Sequence, residues 1–182
     1  MTASSLIYYV ATSLDGYIAR PDGRVDWLEP IERSGDDHGY HAFYESIDGL
    51  LMGRGTYETV LAMGGDWPYP GKPCTVLTRA DLQPAGPQVN IRHSTPQEAL
   101  AELAEAGCKR VWLVGGGSLA GTCYAAGLLD ELIVSVIPHL LGAGIPMFAT
   151  GLERRLQLHE QRSFSTGVVQ LHYRLLPEAP AP

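Results

Sequence analysis

The sequence predicts an α/β domain: a doubly wound, mostly parallel sheet with helices on both faces and an antiparallel hairpin at the C-terminal end. Three observations predict it. Short apolar, β-rich runs alternate with segments of helical period, the pattern of a parallel sheet covered on both sides. Two of those runs end in glycine and turn directly into a helix: Leu50-Leu51-Met52-Gly53-Arg54-Gly55-Thr56-Tyr57-Glu58 and Val111-Trp112-Leu113-Val114-Gly115-Gly116-Gly117-Ser118-Leu119. Two last β-rich segments flank Ser165-Thr166-Gly167, a hairpin signal.

Taken in order, residues 6–11 (Leu-Ile-Tyr-Tyr-Val-Ala) read as a strand buried on both faces. Residues 12–27 carry Gly16, Pro21 and Gly23 and read as a loop. Residues 36–46 read as a helix, because Tyr40, Phe43, Tyr44 and then Ile47 recur at helical spacing. The second strand is 48–52, and a helix over 56–63 stops at Gly64-Gly65. Trp67-Pro68-Tyr69-Pro70-Gly71 excludes regular structure. Strands follow at 74–78 and 88–92. Thr95-Pro96-Gln97-Glu98 has an N-cap, a proline at the first helical position and a capping-box acid, so a helix runs to Glu105 and ends at Gly107. A strand at 110–114, a helix at 119–126, a strand at 132–137 and the hairpin 156–164/168–176 complete the chain.

The 182 residues fit one domain, predicted over 1–176, with a frayed tail at 177–182. Hydrophobic content of 45% supports a packed core. A net charge of −7 without a Lys/Arg stripe argues against nucleic acid and anionic membranes as partners. No apolar run approaches the roughly twenty residues that span a bilayer. Cys74, Cys108 and Cys123 are scattered, and the six histidines show no H-x-x-x-H or H-x-H spacing, so no metal is expected. Residues 1–5 lack a basic n-region, and the expected location is cytoplasmic.

The two strand–glycine–helix turns carry the chemistry. Each leaves unpaired backbone N–H groups at a helix start, where a phosphate binds well. Three consecutive glycines let the backbone approach a ligand closely, whereas one would serve for a tight turn. Gly115-x-Gly117-x-x-Ala120 also fits a loose dinucleotide fingerprint, but it follows the fifth strand and no acid ends the next one. Arg54 at a helix start opposes the dipole unless an anion binds there, and Thr56 can cap that helix or meet a phosphate. Thr78-Arg79 lies at another strand end. Arg54 and Arg79 could together clamp a 2′-phosphate, although an exposed loop arginine needs no ligand.

These motifs resemble the dihydrofolate reductase-like superfamily. The ordered set is Ser13-Leu14-Asp15-Gly16-Tyr17-Ile18-Ala19, then Met52-Gly53-Arg54-x-Thr56-Tyr57-Glu58, then Val114-Gly115-Gly116-Gly117-Ser118-Leu119, then Pro138-x-Leu140-Leu141-Gly142-x-Gly144-Ile145-Pro146-Met147-Phe148. Within it the chain is most similar to the reductase domain of the bifunctional riboflavin-biosynthesis deaminase–reductase and its stand-alone bacterial relatives. The resemblance implies an NADPH cofactor. Ala11, Ile18 and Ala19 would line the nicotinamide. Gly53, Arg54 and Thr56 would hold diphosphate and adenosine phosphate. Leu77, Thr78 and Arg79 would wall the adenine ribose, and Val114, Gly115, Gly116, Gly117, Ser118 and Leu119 would form the second diphosphate loop. A homodimer is also expected.

The implied activity is hydride transfer from NADPH to a C=N or C=O group of a small heterocycle, as in a ribosylaminopyrimidine reductase. A non-catalytic NADPH sensor and a true dihydrofolate reductase are the alternatives. The proton donor candidates are Asp37 and Asp15. Trp27, Asp37 and His41 are the candidate substrate contacts. Asp36 and Asp37 could equally serve as first-turn acids, Asp15 as a loop anchor and Trp27 as packing. A phosphorylated substrate would need basic groups beside the nicotinamide, for which Arg20, Arg24 and Arg33 are the nearest.

Overall fold

The computed structural model describes residues 4–149 and 153–176. The predicted frayed tail at 177–182 lies outside them. The elements, in chain order, are β1 (Ser5–Ser13), β2 (Tyr17–Ala19), a 3-10 turn (Asp26–Leu28), α1 (Glu29–Glu32), α2 (Tyr40–Ser46), β3 (Gly49–Gly53), α3 (Arg54–Ala62), β4 (Cys74–Leu77), β5 (Val89–Arg92), α4 (Pro96–Glu105), β6 (Arg110–Gly115), α5 (Gly117–Ala125), β7 (Leu129–Ile137), β8 (Ile145–Pro146), β9 (Leu156–Ser163) and β10 (Val169–Leu175).

Among the described residues, eight strands form one sheet in the order β5-β4-β3-β6-β1-β7-β10-β9. The first six run parallel, and β10 joins β7 antiparallel. The predicted hairpin forms where expected, with Phe164 N–H donating to Val168 O and Gly167 at φ 84°. Helices cover both faces. Leu6, Tyr8, Val111 and Leu113 face the cluster that includes Leu100 and Leu103 of α4 and Ala120 and Cys123 of α5. Ile7, Leu50, Met52, Val76 and Trp112 face Phe43 of α2 and Tyr57 of α3. Leu50, Leu51 and Met52 are fully buried, and each such side chain contributes roughly 1.5–3 kcal/mol of transfer free energy. The capping box of α4 forms, with Glu98 N–H donating to Thr95 Oγ1 at 3.3 Å and Thr95 N–H to Glu98 Oε2 at 2.8 Å.

Several elements depart from the sequence reading: α1 was not expected, α3 starts two residues early and β7 three. The helix expected over 36–46 starts only at Tyr40, because His38 (φ 49°) and Gly39 (φ 80°) are left-handed. Asp36 and Asp37 accept the N–H groups of His38 and Gly39, and such local bonds compete with a helix. The loop 12–27 contains β2, which pairs antiparallel with β8. The helix after the triple glycine begins at Gly117, two residues earlier than expected.

Candidate active site

The parallel strands β3 and β6 are neighbours, and both end at the same edge of the sheet. β3 passes from Gly53 straight into α3, and β6 passes through a cis Gly115–Gly116 peptide into α5. The N-caps of the two helices are Gly53 and Gly116, and neither has a side-chain cap. Two helix starts therefore present their first N–H groups side by side, where each dipole favours negative charge.

The glycines of the triplet serve different ends. Gly115 has φ 151°, a conformation side chains rarely adopt, and a Cβ there would lie 3.2 Å from Thr56 Oγ1. Gly116 has an ordinary φ of −92°, but a Cβ would come within 3.4 Å of the same hydroxyl. Gly117 is glycine for packing: a Cβ would lie 2.1 Å from Pro146 O, in the turn whose Ala149 N–H donates to Gly117 O. Thr56 is the third residue of α3 and does not cap it. Its hydroxyl instead faces the bare backbone of the triplet. Val114 and Leu119 are half-buried around this turn, and Ser118 is exposed.

Arg54 opens α3, and its Nε is held at 2.7 Å by Glu58 one turn on. An intrahelical pair, rather than a required anion, thus accounts for its unfavourable place. Leu77 and Thr78 follow at the end of the adjacent β4, half-buried. Thr78 Oγ1 accepts Ala80 N–H at 2.9 Å. Arg79 is exposed and makes no hydrogen bond or ion pair among the described residues.

On the other side of β6, Ala11 of β1 lies opposite Ser135 of β7. Ile18 packs against the α4–α5 core, and Ala19 is buried, its strand held by β8. Asp15 accepts hydrogen bonds from Ser13 Oγ (2.6 Å), Leu141 N–H (3.0 Å) and Gly142 N–H (2.7 Å). It is a loop anchor, and these bonds hold its carboxyl down at about 2. Asp37 accepts from Gly39 N–H (2.9 Å), His41 N–H (3.0 Å) and His41 Nδ1 (2.7 Å), and is likewise held at about 2. Both groups are carboxylates at neutral pH with their oxygens already engaged. Neither is built to give up a proton, so their hydrogen bonding does not support the acid role expected of them. His41 is largely exposed. Trp27 is buried with Ile137 and Val168, its ring 6.1 Å from that of His139, so packing accounts for it.

Three polar residues that sequence reasoning missed meet beside Ala11. Tyr9 stacks on Phe43 at 4.1 Å. Burial raises its phenol pKa, partly offset by hydrogen bonding with Gln170 and Ser135. Gln170 Nε2 donates to Ser135 Oγ at 3.0 Å and to His38 O at 3.3 Å. A cavity of about 210 Å³ adjoins this group, bounded by Tyr9, Phe43, Arg110, Gln170 and His172. The residues come from β1, β7 and β10, far apart in sequence. Ser135 alone left a trace, a hydroxyl inside the apolar run Leu-Ile-Val-Ser-Val-Ile.

This sheet order, with helix starts bared at its edge, is a dihydrofolate reductase-like fold. Residues 71–170 match the RibD C-terminal domain, and the chain belongs to that family. It is 36% identical over 168 residues to the uncharacterized protein YwjB of Bacillus subtilis, covering 92% of this chain and 95% of that one. It is 31% identical over 160 residues to the riboflavin biosynthesis protein RibD of Corynebacterium ammoniagenes, covering 81% of this chain but 47% of that protein. A solved structure from Shewanella sp. PV-4, named for riboflavin biosynthesis, superposes with a TM-score of 0.84 at 30% identity, covering 95% and 99% of the two chains. Dihydrofolate reductase from Enterococcus faecalis, complexed with NADP(H), shares the fold at a TM-score of 0.69 and 19% identity, over 94% and 96%. The chain is thus homologous to reductase domains. Among the described residues no helix is long and apolar enough to cross a membrane.

Proposed function

We propose that the protein is an NADPH-dependent reductase of a small, uncharged, ring-bearing C=N or C=O compound. The observation that carries this reading is the pair of uncapped helix starts, side by side, with a glycine backbone facing Thr56 between them. That cradle fits a diphosphate, because its donors are backbone N–H groups and a side chain at Gly115 or Gly116 would intrude on it. Gly53, Thr56, Gly115, Gly116 and Ser118 would hold the diphosphate, Leu77 and Thr78 the adenosine, and Ala11, Ile18 and Ala19 the nicotinamide. Arg79 is the better candidate for the 2′-phosphate, since Glu58 already holds Arg54. Bound there, the cofactor supplies a hydride.

The chain's own contribution is orientation and a proton. With its pKa raised by burial, Tyr9 keeps its phenolic proton at neutral pH. Ser135 and Gln170, bonded to each other at 3.0 Å, lie against the phenol, which would donate a hydrogen bond to a substrate nitrogen or oxygen.

Two observations narrow the substrate. Arg20, Arg24 and Arg33 are each paired with a carboxylate, on Asp26, Asp22 and Glu29, so none is held ready for a substrate phosphate. Both oxygens of Asp37 are occupied, which disfavours folate reduction through a free carboxylate. Fluorescence titration with NADPH and NADH, followed by a screen of carbonyl, pterin and pyrimidine compounds for loss of reduced-nicotinamide absorbance, tests the proposal. Absence of NADPH binding overturns it; binding without turnover across the panel favours a sensor.

A further inference from the structure

We infer that His38 is a positioning residue for Tyr9: its carbonyl holds the Gln170 amide one way round, so that the Tyr9 hydrogen is left for the substrate. The coupling of the three residues stands on geometry alone; its purpose rests on the reading of Tyr9 as the donor in the proposed reaction.

Among the described residues, His38 is the one non-glycine with positive φ, at 49°. Side chains adopt that left-handed conformation at a cost, and glycine or asparagine would hold it more easily. The structure shows what the histidine adds. Its ring is 8% exposed and packs edge-on to Phe164 at 4.9 Å. Its Nε2 lies 2.8 Å from Thr166 Oγ1. Both partners belong to the turn that joins β9 to β10. The ring therefore clasps the segment before α2 to that turn. In that position His38 O accepts from Gln170 Nε2, on β10, at 3.3 Å.

A side-chain amide can sit either way round, and its neighbours decide which. Gln170 Nε2 donates on two sides, to His38 O and to Ser135 Oγ at 3.0 Å. A hydroxyl can donate or accept, but a peptide carbonyl only accepts. His38 is thus the member of this network that cannot adapt. Turned over, the amide would set Oε1 against the His38 carbonyl oxygen with no hydrogen between them.

With Nε2 so fixed, Ser135 Oγ accepts from it and has its own hydrogen for the Tyr9 oxygen. Gln170 and Ser135 both draw the Tyr9 phenol pKa down against its burial, the direction that donation to the phenol oxygen gives. Asp37, the residue before His38, acts the other way and keeps the phenol protonated. An oxygen that receives its neighbours' hydrogens keeps its own to give. Tyr9 and Gln170 both border the 210 Å³ cavity, where a substrate would meet that hydrogen.

Three substitutions separate this role from packing. His38→Asn accepts the left-handed backbone, so it keeps the carbonyl in place and loses only the ring's hold on Thr166. His38→Val is β-branched and resists that backbone, which turns the carbonyl away. Gln170→Met removes the amide at similar size. Difluorotyrosine placed at position 9 carries a more acidic phenol, so its absorbance gives a titration midpoint in the folded protein without substrate or cofactor. His38→Val and Gln170→Met should each raise that midpoint by about one pH unit, while His38→Asn leaves it in place. In the Gln170→Met background His38→Val should add nothing, because it acts through the amide. On a substrate found by screening, His38→Val should lower kcat by about tenfold with KM and the NADPH Kd held, and His38→Asn should restore it. A midpoint that Gln170→Met leaves unmoved overturns the inference even if His38→Val fails to fold. So does a shift that is equal in His38→Asn or that persists without the amide, or a His38→Val enzyme of wild-type kcat. The expected midpoints with no turnover on any compound would support the coupling and count against the reductase reading instead.

Discussion

At the scale of the residue, the glycine triplet separates binding from folding. Gly116→Ala keeps an allowed backbone and adds one methyl beside Thr56 Oγ1. It should weaken NADPH binding by about tenfold, roughly 1.4 kcal/mol, with little change in melting temperature. Gly117→Ala drives a methyl into Pro146 O. It should cost about 1–3 kcal/mol of stability, seen as a lower melting temperature without cofactor. Tyr9→Phe retains the stack on Phe43 and removes only the hydroxyl. Once a substrate is found, kcat should fall by about two orders of magnitude while the cofactor Kd holds. An unchanged kcat would remove Tyr9 from the chemistry. Asp15 and Asp37 govern acid stability: each folded value near 2 lies below the ordinary 3.8. Their contribution is therefore complete above about pH 4 and is lost as pH falls toward 2. Asp15→Asn should flatten the melting-temperature profile in that window.

At the scale of the element, strands were the more legible. Buried parallel strands are continuous apolar runs with little else to be, and β3, β4, β5 and β6 fall within a residue or two of where the pattern placed them. The capping box of α4 was legible because it is a local device. Errors came where a short-range bond overrode periodicity. Asp36 and Asp37 delay α2 by bonding their own backbone. β2 escaped notice because its three residues become a strand only by pairing with β8, some 130 residues on in sequence. The two glycine turns were readable for the same reason as the cap: each is built from contiguous backbone. Tyr9, Ser135 and Gln170 were not, since three strands must assemble before their hydroxyls and amide meet.

At the scale of the whole molecule, the sheet divides the labour. Its C-terminal edge, from Leu77 across Gly53 and Gly115 to Ser13, gathers the positions proposed for the nucleotide, while the antiparallel extension brings Gln170 against Ser135 of β7 and leaves β9 at the sheet's edge. Arg79, the candidate for the 2′-phosphate, and Arg54, held by Glu58, stand at the same edge beyond adjacent strand ends. Arg54→Ala with Arg79→Ala should erase any preference for NADPH over NADH, read as the ratio of the two dissociation constants. A preference that survives both changes would place 2′-phosphate recognition elsewhere.

The packing of Gly117 against Pro146 has a consequence for the order of events. The 145–146 segment is bonded to the 17–19 segment, and Asp15 ties the loop before β8 to the turn before β2. The first turn of α5 is thus packed directly against the β2–β8 ribbon, with no room for a side chain between them. On the proposed reading, a nucleotide seated on that turn would bear on the β2–β8 ribbon before any second molecule arrives. The kinetics should therefore be sequential and ordered, with the dinucleotide first on and last off. Product inhibition by NADP⁺ competitive against NADPH alone would show it.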